Sequence, residues 1–277
     1  MRLSGESGKS RESGESNDSK NSTLPIPPTP PTLPKNKRAE GSQTPLPTLD
    51  TVIVAAGQSR RMAQDKMTLR IAGRTVLEWS FAACAAVPSV RRIVVVCAAG
   101  REEEFRALLT PADTSKKLHA IVPGGELRSD SVAAGLAELG LDNADFVAVH
   151  DAARPFVRPE AFEKCFVQAI RFGAAALAER VVDTLHRTGR KEKSQRVVET
   201  VSRDDLWRVQ TPQIARHNWL FELYELYEFR CLATDEIGGL VKNGFPAVMV
   251  ENPFPNPKIT TPADLPLAEA VANTIMQ

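Results

Sequence analysis

Three short stretches combine residue types that can act on phosphates. In Ala55-Ala56-Gly57-Gln58-Ser59-Arg60-Arg61-Met62, small residues let backbone amides approach a ligand's phosphates, while Arg60, Arg61 and then Lys66 bring positive charge to the same loop. For this segment alone, a surface turn carrying arginines by chance is the competing account. In the stretch 122–132, Gly124 and Gly125 make a tight turn ahead of a helix start holding Arg128, Ser129, Asp130 and Ser131, whose hydroxyls and amides suit a ribose or a base edge. Ser129 or Ser131 would equally serve as a helix cap. In His150-Asp151-Ala152-Ala153-Arg154-Pro155, an aspartate is placed to hold Mg2+ between phosphate oxygens, with Arg154 at hand for that carboxylate or for a phosphate. Structural ion pairing explains the same residues, and His150 reads as a satisfied turn residue rather than a base. Neither the Walker pattern nor the G-x-G-x-x-G fingerprint occurs in the loop 55–62, which counts against ATPase and NAD-dependent dehydrogenase chemistry.

All three stretches follow runs rich in β-branched and apolar residues. Such runs occupy 51–55, 92–98, 119–122, 145–150, 174–181, 196–201 and 247–251, and amphipathic patterns at 75–87, 101–109 and 129–139 lie between the first four. The first pattern gathers Val76, Trp79, Phe81, Ala83 and Cys84 on one broad face. Strands buried on both sides and separated by helices imply a mostly parallel sheet in a three-layer α/β sandwich over 49–277. Ligands of such sheets bind beyond the carboxyl ends of the strands, where the three stretches stand. The segment 182–205 breaks the alternation: two strand-like pieces flank the polar stretch 187–194, so a projecting hairpin is expected. Val197, Val198 and Val201 on it need a surface to cover, which favours clasping another subunit.

Composition narrows the setting. A net charge of +1 leaves no overall field to attract nucleic acid or a membrane surface. No apolar run approaches the roughly 20 residues that span a bilayer. Cys84, Cys97, Cys165 and Cys231 stand far apart, without zinc spacing, and read as reduced thiols of a cytoplasmic protein. Residues 1–48 differ in kind, with serine at every third position from Ser4 to Ser22 and then Pro25, Pro27, Pro28, Pro30, Pro31 and Pro34. A disordered tail is expected there. Glu6, Glu12, Glu15 and Asp18 spoil the acidic-poor pattern of a transit peptide. Trp79, Trp207 and Trp219 read as core or interface anchors, and the strip Trp219, Leu220, Leu223, Leu226 and Tyr227 as helical packing.

Taken in order, the motifs AAGQSRRM, GGELRSDSV, HDAARP, VVDT, TPQ, TDE and NPKIT resemble those of the 2-C-methyl-D-erythritol 4-phosphate cytidylyltransferases of the non-mevalonate isoprenoid pathway. The likeness runs from about Thr51 to Leu267. It implies a Rossmann-like nucleotidyltransferase fold, a homodimer clasped through the hairpin arm, CTP, Mg2+ and a polyol phosphate acceptor. By the same resemblance, Ala55, Ala56 and Gly57 form the triphosphate loop, Gly125, Arg128 and Ser131 contact cytidine, and Asp151 is the magnesium ligand. Arg61 and Lys66 match the basic pair that stabilises the pentavalent phosphorus, and Thr184, Arg203 and Lys258 match residues that hold the methylerythritol phosphate. Thr184 and Arg203 would come from the partner's arm, making the site composite. The implied nucleophile is a phosphate oxygen, ionised at neutral pH, so the reaction needs cations such as Arg61, Lys66 and Lys258 rather than a general base.

The chain departs from the family pattern in three places. Asp65 stands before Lys66 where proline is usual, in a loop about two residues shorter. Pro253-Phe254-Pro255-Asn256-Pro257-Lys258 lacks a commonly acidic position, which Glu251 would have to supply, and Gln58 replaces what is often a smaller or apolar residue. These changes bear on the acceptor, so a cytidylyltransferase for another polyol phosphate, such as ribitol 5-phosphate, is the nearest alternative. A non-catalytic member is the next, opposed by the joint presence of Arg61, Lys66, Asp151 and Lys258. The acids Asp235 and Glu236 fit either the family's motif or a helix start that welcomes negative charge.

Overall fold

The computed structural model describes residues 47–57, 62, 65–140, 144–189, 195–226 and 234–277. In chain order the strands are β1 (Leu49–Val54), β2 (Arg70–Ile71), β3 (Arg74–Thr75), β4 (Val90–Cys97), β5 (Leu118–Pro123), β6 (Phe146–Asp151), β7 (Ala174–Arg180), β8 (Leu185–Thr188), β9 (Val197–Val201), β10 (Trp207–Arg216) and β11 (Val248–Glu251). The helices are α1 (Val76–Ala85), α2 (Glu102–Ala112), α3 (Arg128–Leu139), α4 (Pro159–Phe172), α5 (His217–Glu225), α6 (Glu236–Lys242) and α7 (Leu265–Met276). The first three helices lie where the amphipathic patterns placed them. Residues 1–46, and with them nearly all of the expected tail, lie outside the described residues. Thr48 already belongs to the fold, since its amide and hydroxyl donate to Asp145 Oδ2 at 2.8 and 2.9 Å.

Seven strands form one sheet in the order β11-β7-β10-β6-β1-β4-β5. Period-2 alternation sends successive side chains to opposite faces. Ile53, Ile93, Val95, Phe146, Ala148 and Leu177 pack under α1, α2, α4 and α7, whereas Val52, Val94, Val96, Val147, Val149 and Ala176 pack under α3, α5 and α6. This is the expected three-layer sandwich. Close approach is built into one helix: a Cβ on Gly135 would stand 2.4 Å from Val52 Cγ1, so only glycine lets α3 sit so near β1.

The pattern missed β10, which lies between β6 and β7 and runs antiparallel to both. Its sequence mixes Gln210, Thr211 and Gln213, all buried, with Pro212, which has no N–H to pair; the ladder with β7 shifts register between Val209 and Gln213. Polar side chains in a core strand hide the apolar signal, and here they serve hydrogen bonds. The expected helical strip also needs correction: Leu220 and Leu223 are buried, but Leu226 lies beyond α5 and is exposed, Trp219 is half-buried, and Tyr227 lies outside the described residues.

The order of the sheet fixes where a ligand can enter. From β1 the chain moves outward through β4 and β5, then returns to place β6 on the other side of β1. Val54 and Asp151 are register partners at the carboxyl ends of β1 and β6. A crevice must open beyond them, at the point where the winding direction reverses. Among the described residues, β8 and β9 pair only with each other, as an antiparallel two-stranded sheet. Val182, Val197 and Val198 on this hairpin are exposed.

Candidate active site

Beyond β1 and β6 a cavity of about 160 Å3 gathers residues of five segments. Val54, Ala55, Ala56 and Gly57 form one wall, Lys66 and Met67 a second, Gly125 to Arg128 with Ser131 a third, and Asp151, Ala153 and Lys258 the fourth. Nine residues picked out from the sequence therefore come together: Ala55, Ala56, Gly57, Lys66, Gly125, Arg128, Ser131, Asp151 and Lys258. Arg61 lies outside the described residues, as do Gln58 and Arg60.

The glycine-rich turn is shaped by crowding. A Cβ on Gly124 would lie 2.5 Å from Ser131 Oγ and 2.8 Å from Ala56 Cβ, and one on Gly125 would lie 2.4 Å from Asp130 Cβ. Glycine at 124 lets the loop after β5 close against Ala56 in the loop after β1, and glycine at 125 lets it close against the first turn of α3. Neither serine caps α3. Asp130 does so, accepting from the Leu127 amide at 3.2 Å, while Ser131 Oγ donates to the Leu127 carbonyl within the helix and borders the cavity. Ala55 gives its amide to the Val96 carbonyl at 2.7 Å, so its contribution to the cavity is smallness; amides for a phosphate must come from further along the loop.

Asp151 is the electrostatic centre. Arg128 Nε donates to its Oδ1 at 3.0 Å and Lys258 Nζ to its Oδ2 at 2.5 Å. Burial alone would raise its pKa, but these two cations outweigh burial and hold the carboxyl well below the usual range. The pairing expected of Arg154 is not made: Arg154 turns to the carbonyls of Asn256, at 2.8 Å, and Val209, at 3.4 Å, because α3 already supplies the cation for Asp151. A relay fixes the backbone here. The Asp151 amide donates to Thr211 Oγ1, Thr211 pairs with His150 Nδ1, and His150 Nε2 donates to the Arg154 carbonyl, at 3.1, 3.1 and 3.0 Å. Complete burial pushes His150 down to about 4, which keeps it neutral and structural.

The chemistry of Asp151 fits Mg2+. It is a single ionised hard-oxygen donor beside a loop open to phosphates, and Mg2+ is commonly held by one or two carboxylates together with substrate phosphates. Among the described residues no group of three or more His, Cys, Asp or Glu forms a closed metal cage.

The two lysines are held by neighbours in the chain, Asp65, which departs from the family pattern, and Asn256, which belongs to the NPKIT motif. Asp65 accepts from the Met67 amide at 3.2 Å and from Thr68 Oγ1 at 3.3 Å, and it pairs with Arg101 at 2.7 Å. It thus makes by side-chain hydrogen bonds the turn that proline would make by restricting φ. Asn256 is buried; its Nδ2 donates to Gln210 Oε1 and the Thr211 carbonyl at 3.0 and 3.1 Å. Ile259 then bonds to the Ala153 carbonyl, presenting Lys258 at the cavity mouth. Glu251 does not reach in: it is exposed and faces Arg180 at 3.8 Å. A second, wider cavity of about 480 Å3 shares Lys258 with the first, and Arg154, Glu179, Arg208 and Asp264 border it.

Thr184 and Arg203 are not brought to this cavity within the chain. Both are exposed on the hairpin, where Arg203 donates to the Val182 carbonyl. Trp79 is buried with its Nε1 on the Ile71 carbonyl, Trp207 lies under the Arg180 guanidinium, and Trp219 packs on Phe245; none borders either cavity.

The model of the family described as 2-C-methyl-D-erythritol 4-phosphate cytidylyltransferase (IspD) matches residues 49–274. The chain belongs to this family. A relative of that name from Pelotomaculum thermopropionicum is 39% identical over 223 residues, covering 79% of this chain and 92% of the relative. Among solved structures, 4-diphosphocytidyl-2C-methyl-D-erythritol synthase from Anaerococcus prevotii aligns with a TM-score of 0.71 at 26% identity, over 82% of this chain and 96% of that one. The 2-C-methyl-D-erythritol 4-phosphate cytidylyltransferase from Thermus thermophilus aligns with a TM-score of 0.66 at 31% identity, over 82% and 99%.

Within this family frame, the acids of the TDE motif divide their work. Asp235 caps α6 by accepting from the Gly238 amide at 3.1 Å, as a helix start would have it. Glu236 instead points inward, is 1% exposed and takes both Nη atoms of Arg128. The TPQ motif also acts by position, Thr211 through the relay to Asp151 and Gln213 by bonding Asp235 and the Ile237 amide. Two adjacent acids and a short polar motif were visible in the sequence, but their partners lie far away along the chain.

Proposed function

We propose that the chain transfers CMP from CTP to 2-C-methyl-D-erythritol 4-phosphate, giving 4-diphosphocytidyl-2-C-methyl-D-erythritol and pyrophosphate, in isoprenoid precursor biosynthesis. Family membership across the whole sheet, together with one cavity that gathers Lys66, Arg128, Asp151 and Lys258, carries this reading. The acceptor's phosphate oxygen forms a bond to the α-phosphorus of CTP as the bond to pyrophosphate breaks. No proton has to be removed from the nucleophile, so the chain's task is to gather and neutralise anions. The loop after Ala55 receives the triphosphate, and Gly125 and Ser131 line the cytidine side. Lys66 and Lys258 face the charge that flows toward pyrophosphate, with Arg61 assigned to the same task by its motif. Asp151 would hold Mg2+, which would supply further charge neutralisation.

The second cavity suits a polyol phosphate, with Arg154 and Lys258 as cations and the Arg208–Glu179 ion pair and Asp264 at its border. We assign the hairpin to a homodimer: the exposed Val182, Val197 and Val198 support burial against a second copy. Thr184 and Arg203 then complete the neighbour's acceptor site. Buried free thiols at Cys84, Cys97 and Cys165 accord with the cytoplasm, burial pushing Cys97 up to about 11. Among the described residues no helix is long and apolar enough to cross a membrane.

Pyrophosphate release with Mg2+ tests the reading, with CTP compared against ATP, GTP and UTP, and methylerythritol phosphate against ribitol 5-phosphate. Release only with CTP and methylerythritol phosphate is expected. Release with ribitol 5-phosphate instead would move the acceptor, and silence from folded, dimeric protein would make the chain a non-catalytic member.

A further inference from the structure

Behind the cavity, charged side chains form a closed array. Arg128 donates through Nη1 and Nη2 to the two carboxylate oxygens of Glu236, at 2.7 and 3.1 Å, and through Nε to Asp151 Oδ1 at 3.0 Å. Tyr224 Oη donates to Glu236 Oε1 at 2.8 Å. Lys258 closes the other end on Asp151 Oδ2. Two carboxylates thus balance two cations. The members differ in access: Lys258 keeps 40% of its side chain exposed, whereas Glu236 is sealed away and does not border the cavity.

The balance has a consequence once Lys258 turns to a substrate phosphate in either cavity it borders. Among the described residues, Arg128 is then the cation that remains hydrogen-bonded to Asp151. An Arg128 without Glu236 would swing its full charge onto Asp151 and cancel the attraction for a divalent cation. With both Nη atoms fixed on Glu236, its charge is offset from behind and only Nε reaches Asp151. We propose that Glu236 is a positioning residue for nucleotidyl transfer: it orients and neutralises Arg128, so that Asp151 stays anionic toward the cavity with Oδ2 turned outward. Glu236 touches no substrate and acts through Arg128. The inference rests on the reading of Asp151 as the ligand of the metal that accompanies CTP.

A merely structural ion pair would affect stability and leave metal dependence alone. The test is calorimetric titration of CTP into the full-length protein, in Mg2+ and in EDTA, for wild type and Glu236→Gln. In wild type Mg2+ is expected to strengthen CTP binding. In Glu236→Gln that enhancement is expected to shrink about tenfold, the usual scale for losing a group that orients a metal ligand. The acceptor KM should change less than about twofold, because it does not depend on the anionic face of Asp151; any change of binding in EDTA reports Arg128's own contact with the nucleotide and cancels in the enhancement, which is a ratio. An unchanged Mg2+ enhancement with a lowered melting temperature would overturn the proposal. Tyr224→Phe removes only the hydroxyl on Glu236, is expected to reduce the enhancement about twofold to threefold, and serves if Glu236→Gln does not fold; no reduction there overturns it too. Wild-type protein that binds no CTP would instead sink the functional reading, so the two failures are distinct.

Discussion

The Asp151 corner and the β8–β9 hairpin satisfy their needs in opposite ways. At the corner, the described groups that orient Asp151 lie within the chain: Arg128 on α3, Thr211 on β10 and Lys258 on the loop after β11. Among the described residues the hairpin strands pair only with each other, and they hold Val197 and Val198 in solvent. A sheet core can keep cations and a carboxylate fixed at a few ångströms without help; a two-stranded ribbon is marginal by itself and needs a second surface. On the proposed reading, phosphorus chemistry belongs to the core, and grip on the acceptor to an arm completed by a second copy.

Breaking the corner should cost most. Asp151→Asn removes the ionised ligand and leaves Arg128 and Lys258 facing a neutral amide, so pyrophosphate release should fall on the order of a thousandfold. A loss below tenfold would show that the corner is not where the transition state is stabilised. Charging the arm should do less, and selectively: Val198→Asp is expected to yield monomers by sedimentation and to raise the acceptor KM about tenfold, with CTP binding changed less than about twofold. Equal losses for both substrates would dissolve the proposed division between core and arm. The smallest effect is expected at the turn. In Gly125→Ala the new Cβ presses on Asp130, the cap of α3, and CTP affinity should weaken roughly fivefold while the acceptor KM holds.

Much of this was legible in the sequence, and the illegible parts share a cause. The six parallel strands of the sheet announced themselves because burial on both faces selects continuous apolar runs. β10 did not, because Gln210, Thr211 and Gln213 hold the Asn256 loop, Asp151 and α6 by side-chain hydrogen bonds that leave no apolar pattern. The cavity's residues were recognisable from their motifs, yet the cation on Asp151 was not, since Arg154 is the neighbour in sequence and Arg128 the neighbour in space. Glu236 was likewise ambiguous: nothing local tells which of two adjacent acids caps a helix and which reaches an arginine on another helix. Asp65 shows the reverse, a departure from the family pattern whose compensation appears only once its hydrogen bonds are known.

The central claim is a site made of one subunit's core and the other's arm. Lys258→Ala disables the core and Arg203→Ala disables the arm, so each homodimer alone should be nearly inactive. After subunit exchange, every hybrid dimer carries one intact site, and a random mixture should recover about a quarter of wild-type pyrophosphate release. No recovery, with exchange verified by differently tagged subunits, would contradict the composite site and return Arg203 to its own subunit.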